Sequence, residues 1–390
     1  MPVGASCRPS QKVNMSSSNR FDVAIVGAGI LGLAHAYHFA RQGLRVGVFE
    51  RGIRATGASI RNFGMVWPIG QPPGEMRAMA LRSRAIWEEV LRASGIWHQA
   101  CGSLHLAYRN DEWDVLTEFA DKAPEIGYEC ELIEPQAVLR KSPVVRSDGL
   151  VGGLWSPSEL CVFPRQVVAE LPKHLESIGV HFSFGSATTY VESGKLTVGG
   201  EDISANHIFL CTGDDFETLY PQEFVKFGMT RSKLQMMRAR PRRSDYKIGC
   251  HLCAGLTLGH YANFKICETL PGLLGRFEQE FPAHVGWGIH LLVSQHEDGQ
   301  LTIGDSHEYG LEVTPFLREE IDALILEYLK TFLDTSEFAV TERWHGVYAK
   351  HPTKSYIRQQ VAERVHVVTG VGGAGMTLSF GLAERSLELI

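Results

Sequence analysis

The sequence predicts a two-lobed α/β (α+β) protein, a Rossmann-like domain interleaved with a lobe built on a mostly antiparallel sheet. Three observations predict it. Continuous apolar runs ending in glycine recur at the start (DVAIVG, 22–27), in the middle (HIFLCTG, 207–213) and at the end (VHVVTG, 365–370) of the chain. Such runs read as strands buried on both faces, the pattern of a parallel sheet covered by helices. Between about 215 and 345 the pattern changes to short strands (LLVSQ, LTIGD and the region 230–240), broken by one helix near 315–333. One sheet is therefore assembled from distant segments, and a second lobe interrupts it.

The elements follow in order. The first twenty residues, MPVGASCRPSQKVNMSSSNR, are polar and lack the apolar centre of a signal peptide; they read as a disordered leader, with Met15 an alternative start. DVAIVG is followed by glycines at 27, 29 and 32, the helical stretch ILGLAHAYHFARQG with Gly43 as its stop, and the strand RVGVFE ending at Glu50, which together make a βαβ unit. A glycine-rich loop, ATGASIRNFGMVWPIGQPPGE, leads into an amphipathic helix over 75–94, with Met76, Met79, Leu81, Ile86, Trp87, Val90 and Leu91 on its buried side. GSLHLAY at 102–108 alternates like a strand with one wet face. A helix over 163–178 and a strand VHFSF precede HIFLCTG, and the glycine-rich turn VGGAGMT and a last helix follow VHVVTG.

Composition narrows the function. With 390 residues, 44% apolar and 21% charged, the chain has ample length for a core. A net charge of -6 argues against a nucleic-acid partner, and no apolar run reaches the length of a membrane span. Eight scattered cysteines point to reduced thiols and a cytoplasmic location. Cys250 and Cys253 form a lone C-x-x-C without the second pair a zinc ribbon requires, so no metal is expected.

The strongest motif is Gly27-Ala28-Gly29-Ile30-Leu31-Gly32. The first glycine permits the tight turn, the second lets a pyrophosphate approach the backbone, and the third lets helix and strand pack closely. The helix N-terminus offers free N–H groups to phosphates, and Glu50 stands where an acid binds a ribose. The loop after it carries Arg51, Ser59, Arg61, Asn62 and Gly64, placed to run along a pyrophosphate toward a flavin ring. The closing turn, Gly370 to Thr377, sets a second helix N-terminus where negative charge develops on flavin reduction.

Three segments, DVAIVGAGILGLAHAYHFARQGLRVGVFERG, HIFLCTG and VHVVTGVGGAGMTLSFGLAE, resemble the D-amino-acid oxidase superfamily, in the branch with glycine oxidase and sarcosine oxidase. SIRNFGMVWPIGQ and AGLTLGHY resemble more closely a bacterial branch of aminophosphonate breakdown, which implies N-methyl-2-aminoethylphosphonate as a substrate type. The resemblance implies FAD, held non-covalently, because WHGVYAKHPTKSYI has no cysteine where covalent sarcosine oxidases carry one. It implies an FAD-binding domain from 21–75, about 150–215 and 345–390, and a substrate-binding domain from about 76–149 and 216–344. Cofactor contacts are expected from the glycine motif, Glu50, Arg51, Ser59, Arg61, Asn62, Thr188, Thr212, Gly213, Gly373, Gly375, Met376 and Thr377. Thr377 stands where sarcosine oxidase carries a lysine for the substrate carboxylate.

The implied reaction removes two electrons from the C–H beside an amine nitrogen; imine hydrolysis follows. A small zwitterionic amine needs a cation for its acid group, and guanidinium suits a carboxylate or phosphonate. The candidates are Arg61, Arg231, Lys265, Arg343 and Lys354, with Arg61 first for its place in the loop. His260 and Tyr261 are read in a mid-chain strand that roofs the pocket, and Tyr348, Trp344 and His345 lie under the ring. His351 and Lys350 are alternatives as base or oxygen-activating cation. The candidate catalytic set is thus Arg61, His260, Tyr261, Lys265 and Tyr348, with O2 or another electron acceptor as partner and a monomer or homodimer as assembly.

Overall fold

The computed structural model describes residues 20–390, so the expected leader and the start at Met15 lie outside the described residues, except that Arg20 opens the first strand. Five parallel strands form the centre of an eight-stranded sheet, in the spatial order Val365–Thr369, Glu201–Leu210, Arg20–Val26, Val46–Glu50 and His181–Phe184. The hairpin Thr188–Glu192 and Lys195–Val198 and the strand Ile357–Ala362 extend it antiparallel. The three glycine-terminated runs are thus neighbours in one sheet.

Helices Ile30–Arg41, Glu75–Ser94, Pro164–Ser177 and Gly375–Arg385 share a core on one face. Trp87 anchors it, edge-on to Phe380 at 4.7 Å, its indole N–H donating to Met376 O at 2.7 Å. Gly381 allows the close crossing: a Cβ there would lie 2.5 Å from Met79 O. Helix Glu75–Ser94 therefore belongs to this core, on the other side of the division expected for it. Its buried face also differs: Met76 is only half-buried, and Ala80 and Ser83 are buried. Leu81 is exposed, while Arg77 is buried with its guanidinium 4.5 Å above the Tyr128 ring.

The second lobe is a nine-stranded sheet around the long strands Thr230–Pro241 and Phe338–Lys350, antiparallel except where His251–Ala254 runs parallel to Ser103–Ala107. Strand Gly152–Ser156 lies in this sheet, although the segment from about 150 was assigned to the cofactor domain. Ser103–Ala107 has no wet face: all five residues are buried, with His105 between Trp67 and Phe264. Burial pushes the His105 pKa down to about 3. Among the described residues, no helix is long and apolar enough to cross a membrane.

Helices Leu256–His260, Leu270–Glu280 and Pro282–Gly286 replace what reads as sheet. The strand stops at Ala254 because Gly255 abuts Glu112, where a Cβ would be 2.3 Å from Oε1, and the Tyr328 hydroxyl takes the Leu256 N–H at 2.9 Å. Leu256 and Leu258 are buried on the short helix, so their two-residue spacing mimics a strand. Cys250 and Cys253 are free thiols, buried, with pKa values pushed up by burial.

Candidate functional site

A cleft of 520 Å³ runs between the parallel sheet and the nine-stranded sheet. One end is built from backbone. Gly27 has φ +104°, and a Cβ there would lie 2.5 Å from Cys211 O; a Cβ on Gly32 would lie 1.9 Å from Gly27 O. Glycine at both positions lets helix Ile30–Arg41 start against the strand, its N-terminal amides facing the cleft. Glu50 is fixed there: Oε2 accepts from Ala28 N and Oε1 from Gly52 N, both at 2.9 Å. Ser59 Oγ accepts the Ile30 amide at 2.9 Å, which ties the loop to the helix N-terminus. Arg51 pairs with Asp215 at 2.8 Å across the rim. Asn62 is a turn clamp, donating to Ala58 O and Ser59 O at 3.0 Å and accepting from Gly64 N at 2.8 Å.

The other end brings in the long strand and the closing turn. Gly373, Gly375 and Met376 line it with Tyr348. Tyr348 is buried, donates to Arg61 O at 3.3 Å, and has its pKa raised by burial, so the phenol stays protonated. Arg61 Nη1 donates to His345 O at 3.2 Å. Burial, and secondarily the Arg61 charge, hold the His345 pKa below its ordinary value.

The structure gathers most of the expected residues. Gly27, Gly29, Ile30, Leu31, Glu50, Arg51, Ser59, Arg61, Asn62, Thr188, Thr212, Gly213, Gly373, Gly375, Met376 and Tyr348 all line the cleft. Ala28 and Gly32 act from behind, through Glu50 and Gly27. Thr377 does not line it: it is 2% exposed, and its Oγ1 accepts the Trp67 amide at 2.9 Å. His260 ends a short helix, not a strand, and with Tyr261 lies beyond the lining residues. Lys265 is exposed on the turn Ala262–Ile266. Arg231 and Arg343 are consumed in ion pairs with Glu217 (2.8 Å) and Asp322 (2.6 Å). Lys354 is exposed, His351 Nδ1 accepts two backbone amides, and Lys350 sits 4.4 Å over the Tyr309 ring.

The loop Ala55–Gly57, inside the segment expected along the pyrophosphate, also lines the cleft, while Asp214 and the strand residues Val347 and Ala349 line it without having been named. Sequence reasoning missed a histidine cluster. His260, His290 and His307 present ring nitrogens within 4.8 Å of one another, where no metal site was expected.

A cofactor fits this end of the cleft on chemical grounds. The wall has no Cβ at Gly27 and Gly29, an anchored carboxylate stands at the ribose position, and helix N-termini face the cleft from both ends. This is the site of a two-lobed, dinucleotide-dependent oxidoreductase. The comparisons with known proteins narrow the class: the chain matches the family described as DAO, FAD dependent oxidoreductase, over residues 22–389, and belongs to it.

Its relatives act on varied donors. A glycine oxidase of Geobacillus kaustophilus is 28% identical over 51% of this chain and 52% of its own length. A glycerol 3-phosphate dehydrogenase of Caloramator mitchellensis is 21% identical over 75% of this chain and 57% of its own. The matches to these two curated relatives thus span only about half of their length. In fold, the glycine oxidase structure from Geobacillus kaustophilus superimposes with a TM-score of 0.75 at 19% identity, covering 95% of this chain and 94% of that one. L-proline dehydrogenase from P. horikoshii gives 0.76 at 16% identity, covering 95% and 93%.

Proposed function

We propose that this chain oxidises a small amine that carries an acid group, with an aminophosphonate of the N-methyl-2-aminoethylphosphonate type as its substrate. One observation carries the reading. Two cations line the cleft among the described residues. Arg51 is spent on Asp215, whereas Arg61 meets only a backbone carbonyl, at the end where the closing turn and Tyr348 converge. A guanidinium without an acid partner in a half-buried position calls for an anion.

When bound, FAD supplies the acceptor for a hydride from the C–H beside nitrogen. The chain's residues do the rest. Arg61, steadied through His345 O, takes the acid group and sets the distance of the amine from the reacting face. The Tyr348 hydroxyl holds the Arg61 backbone and fills the space beneath the closing turn, which excludes water. His345 lies outside the lining residues, so the substrate binds as the free amine that the reaction requires. The N-terminus of helix Gly375–Arg385 favours the negative charge that builds up on reduction. No covalent link from the chain to the flavin is part of this reading. With oxygen as acceptor, amine, O2 and water give an aldehyde, the released amine and H2O2; for the N-methyl compound these are phosphonoacetaldehyde and methylamine.

The test is anaerobic mixing of the FAD-loaded protein with N-methyl-2-aminoethylphosphonate, sarcosine and glycine. The phosphonate should bleach the visible flavin band fastest. Faster bleaching by sarcosine or glycine moves the assignment to an amino-acid oxidase, and no bleaching by any amine overturns the amine reading. Rapid bleaching without H2O2 on admitting air assigns a dehydrogenase that uses another acceptor.

A further inference from the structure

We propose that His260, His290 and His307, backed by Asp305, bind one divalent transition-metal ion. The segments flanking the paired strands Leu292–Gln295 and Leu301–Gly304 make the cluster. His290 and Asp305 sit opposite each other, exchanging backbone hydrogen bonds at 3.2 and 2.9 Å, so their side chains share a face. His307, two residues beyond Asp305, comes to the same place, its ring centroid 5.2 Å from that of His290. The tip of helix Leu256–His260 brings His260 over both, with ring centroids 3.7 Å from His290 and 4.7 Å from His307.

The hydrogen bonds leave lone pairs where a cation is needed. His307 Nδ1 stands 3.1 Å from Gly288 O; a carbonyl only accepts, so that nitrogen carries the proton and Nε2 carries the lone pair. Such a second bond to a carbonyl is how metal-ligating histidines are oriented. His290 and Asp305 are 3% exposed, and both His290 Nδ1 and Asp305 Oδ1 are buried without a hydrogen bond among the described residues. His290 Nε2 approaches Asp305 Oδ1 at 3.0 Å, and His307 Nε2 approaches Asp305 Oδ2 at 4.0 Å. With Nε2 facing Asp305 Oδ1, His290 leaves Nδ1 buried and without a partner, a costly state that a cation bound there would relieve.

The chemistry fits the metal. Imidazole with carboxylate suits zinc, nickel, cobalt or copper. Three tetrahedral nitrogens about 2.0–2.1 Å from zinc lie ~3.4 Å apart, so the cluster must close from its present separation. His260 can supply the movement, because its side chain is exposed and ends a short helix, and the same exposure gives the ion an entry path. The site stands beside Tyr261, whose ring centroid is 5.0 Å from that of His260 and 5.6 Å from that of His290, and outside the residues that line the cleft, so it is independent of which donor the enzyme oxidises.

The experiment uses the FAD-loaded full chain without a histidine tag, stripped with a chelator and titrated with Zn2+ by calorimetry, with metal content measured after gel filtration. The expected result is one zinc per chain, with affinity falling at least 10-fold in His260→Ala and in Asp305→Asn at unchanged flavin content. The wild-type protein loaded with Co2+ should show the ligand-field bands of a four-coordinate nitrogen site, a readout that needs no variant. Failure to retain zinc, or retention that His260→Ala leaves unaltered, overturns the proposal.

Discussion

Around Gly27 the cleft wall is main chain, and around Arg61 and Tyr348 it is side chains; the two regions answer different demands. At the glycine end, three glycines, a helix N-terminus and one anchored acid come from a contiguous stretch, Val26 to Gly52. Backbone amides recognise phosphate whatever the neighbouring side chains are, and this end need only stay bare. At the other end, Arg61 and Tyr348 come from separate segments and meet where the Tyr348 hydroxyl donates to the Arg61 carbonyl. The glycine end is thus held by geometry close in sequence, and the opposite end by contacts far apart in it.

The largest expected effect tests the bare wall. Gly32→Val puts side-chain atoms on Gly27 O, which a Cβ alone would approach to 1.9 Å, so the purified protein should lose more than about 10-fold of its flavin-to-protein ratio. Full retention of flavin would break the account of that end.

Acid should separate the two halves next. Burial lowers the pKa of His251 to about 4 and of His105 and His296 to about 3 in the substrate lobe, against about 4 for His35 and His366 at the parallel sheet. The ordinary value is 6.5, so between the folded and ordinary values the unfolded chain binds more protons. Stability should therefore fall as pH drops from 6.5 toward 4, by as much as about 3 kcal/mol for a histidine shifted that far. The substrate lobe carries more of these groups, so hydrogen exchange at pH 5 should rise there before it rises around the parallel sheet. Uniform exchange would show that the halves unfold as one.

Arg61→Met tests whether the side-chain end recognises charge. An acid-bearing amine should need about 100-fold more concentration for half-maximal flavin reduction, roughly 2–3 kcal/mol, while a neutral amine is unaffected and Arg61→Lys recovers part of the loss. Equal losses for both amines would make Arg61 a structural residue. The smallest effect lies between the halves. Arg165 on helix Pro164–Ser177 pairs with Glu342 on strand Phe338–Lys350 at 2.6 Å, but both side chains are 40% or more exposed. Glu342→Ala should cost under about 1 kcal/mol in denaturant unfolding, and a larger loss would mean the lobes lean on this pair.

What the sequence by itself determined is the part in which neighbours in space are neighbours in the chain. The βαβ unit, Glu50, the 75–94 helix and the closing turn were legible because each is a local pattern of period, cap and glycine. Even the discontinuous sheet could be foreseen, since its strands announce their burial by unbroken apolar runs. Thr377 shows the limit: its position in the final turn was readable, but not that its hydroxyl is taken by the Trp67 amide. His105 shows another, a polar residue read as a wet face that tertiary packing encloses. Only the tertiary structure decided that Arg231 and Arg343 are paired, that Leu256–His260 is a helix, and that His290, Asp305 and His307 converge. Those outcomes depend on strand register and on which face each lobe presents to the other, and a one-residue change of register would undo them without changing any local pattern.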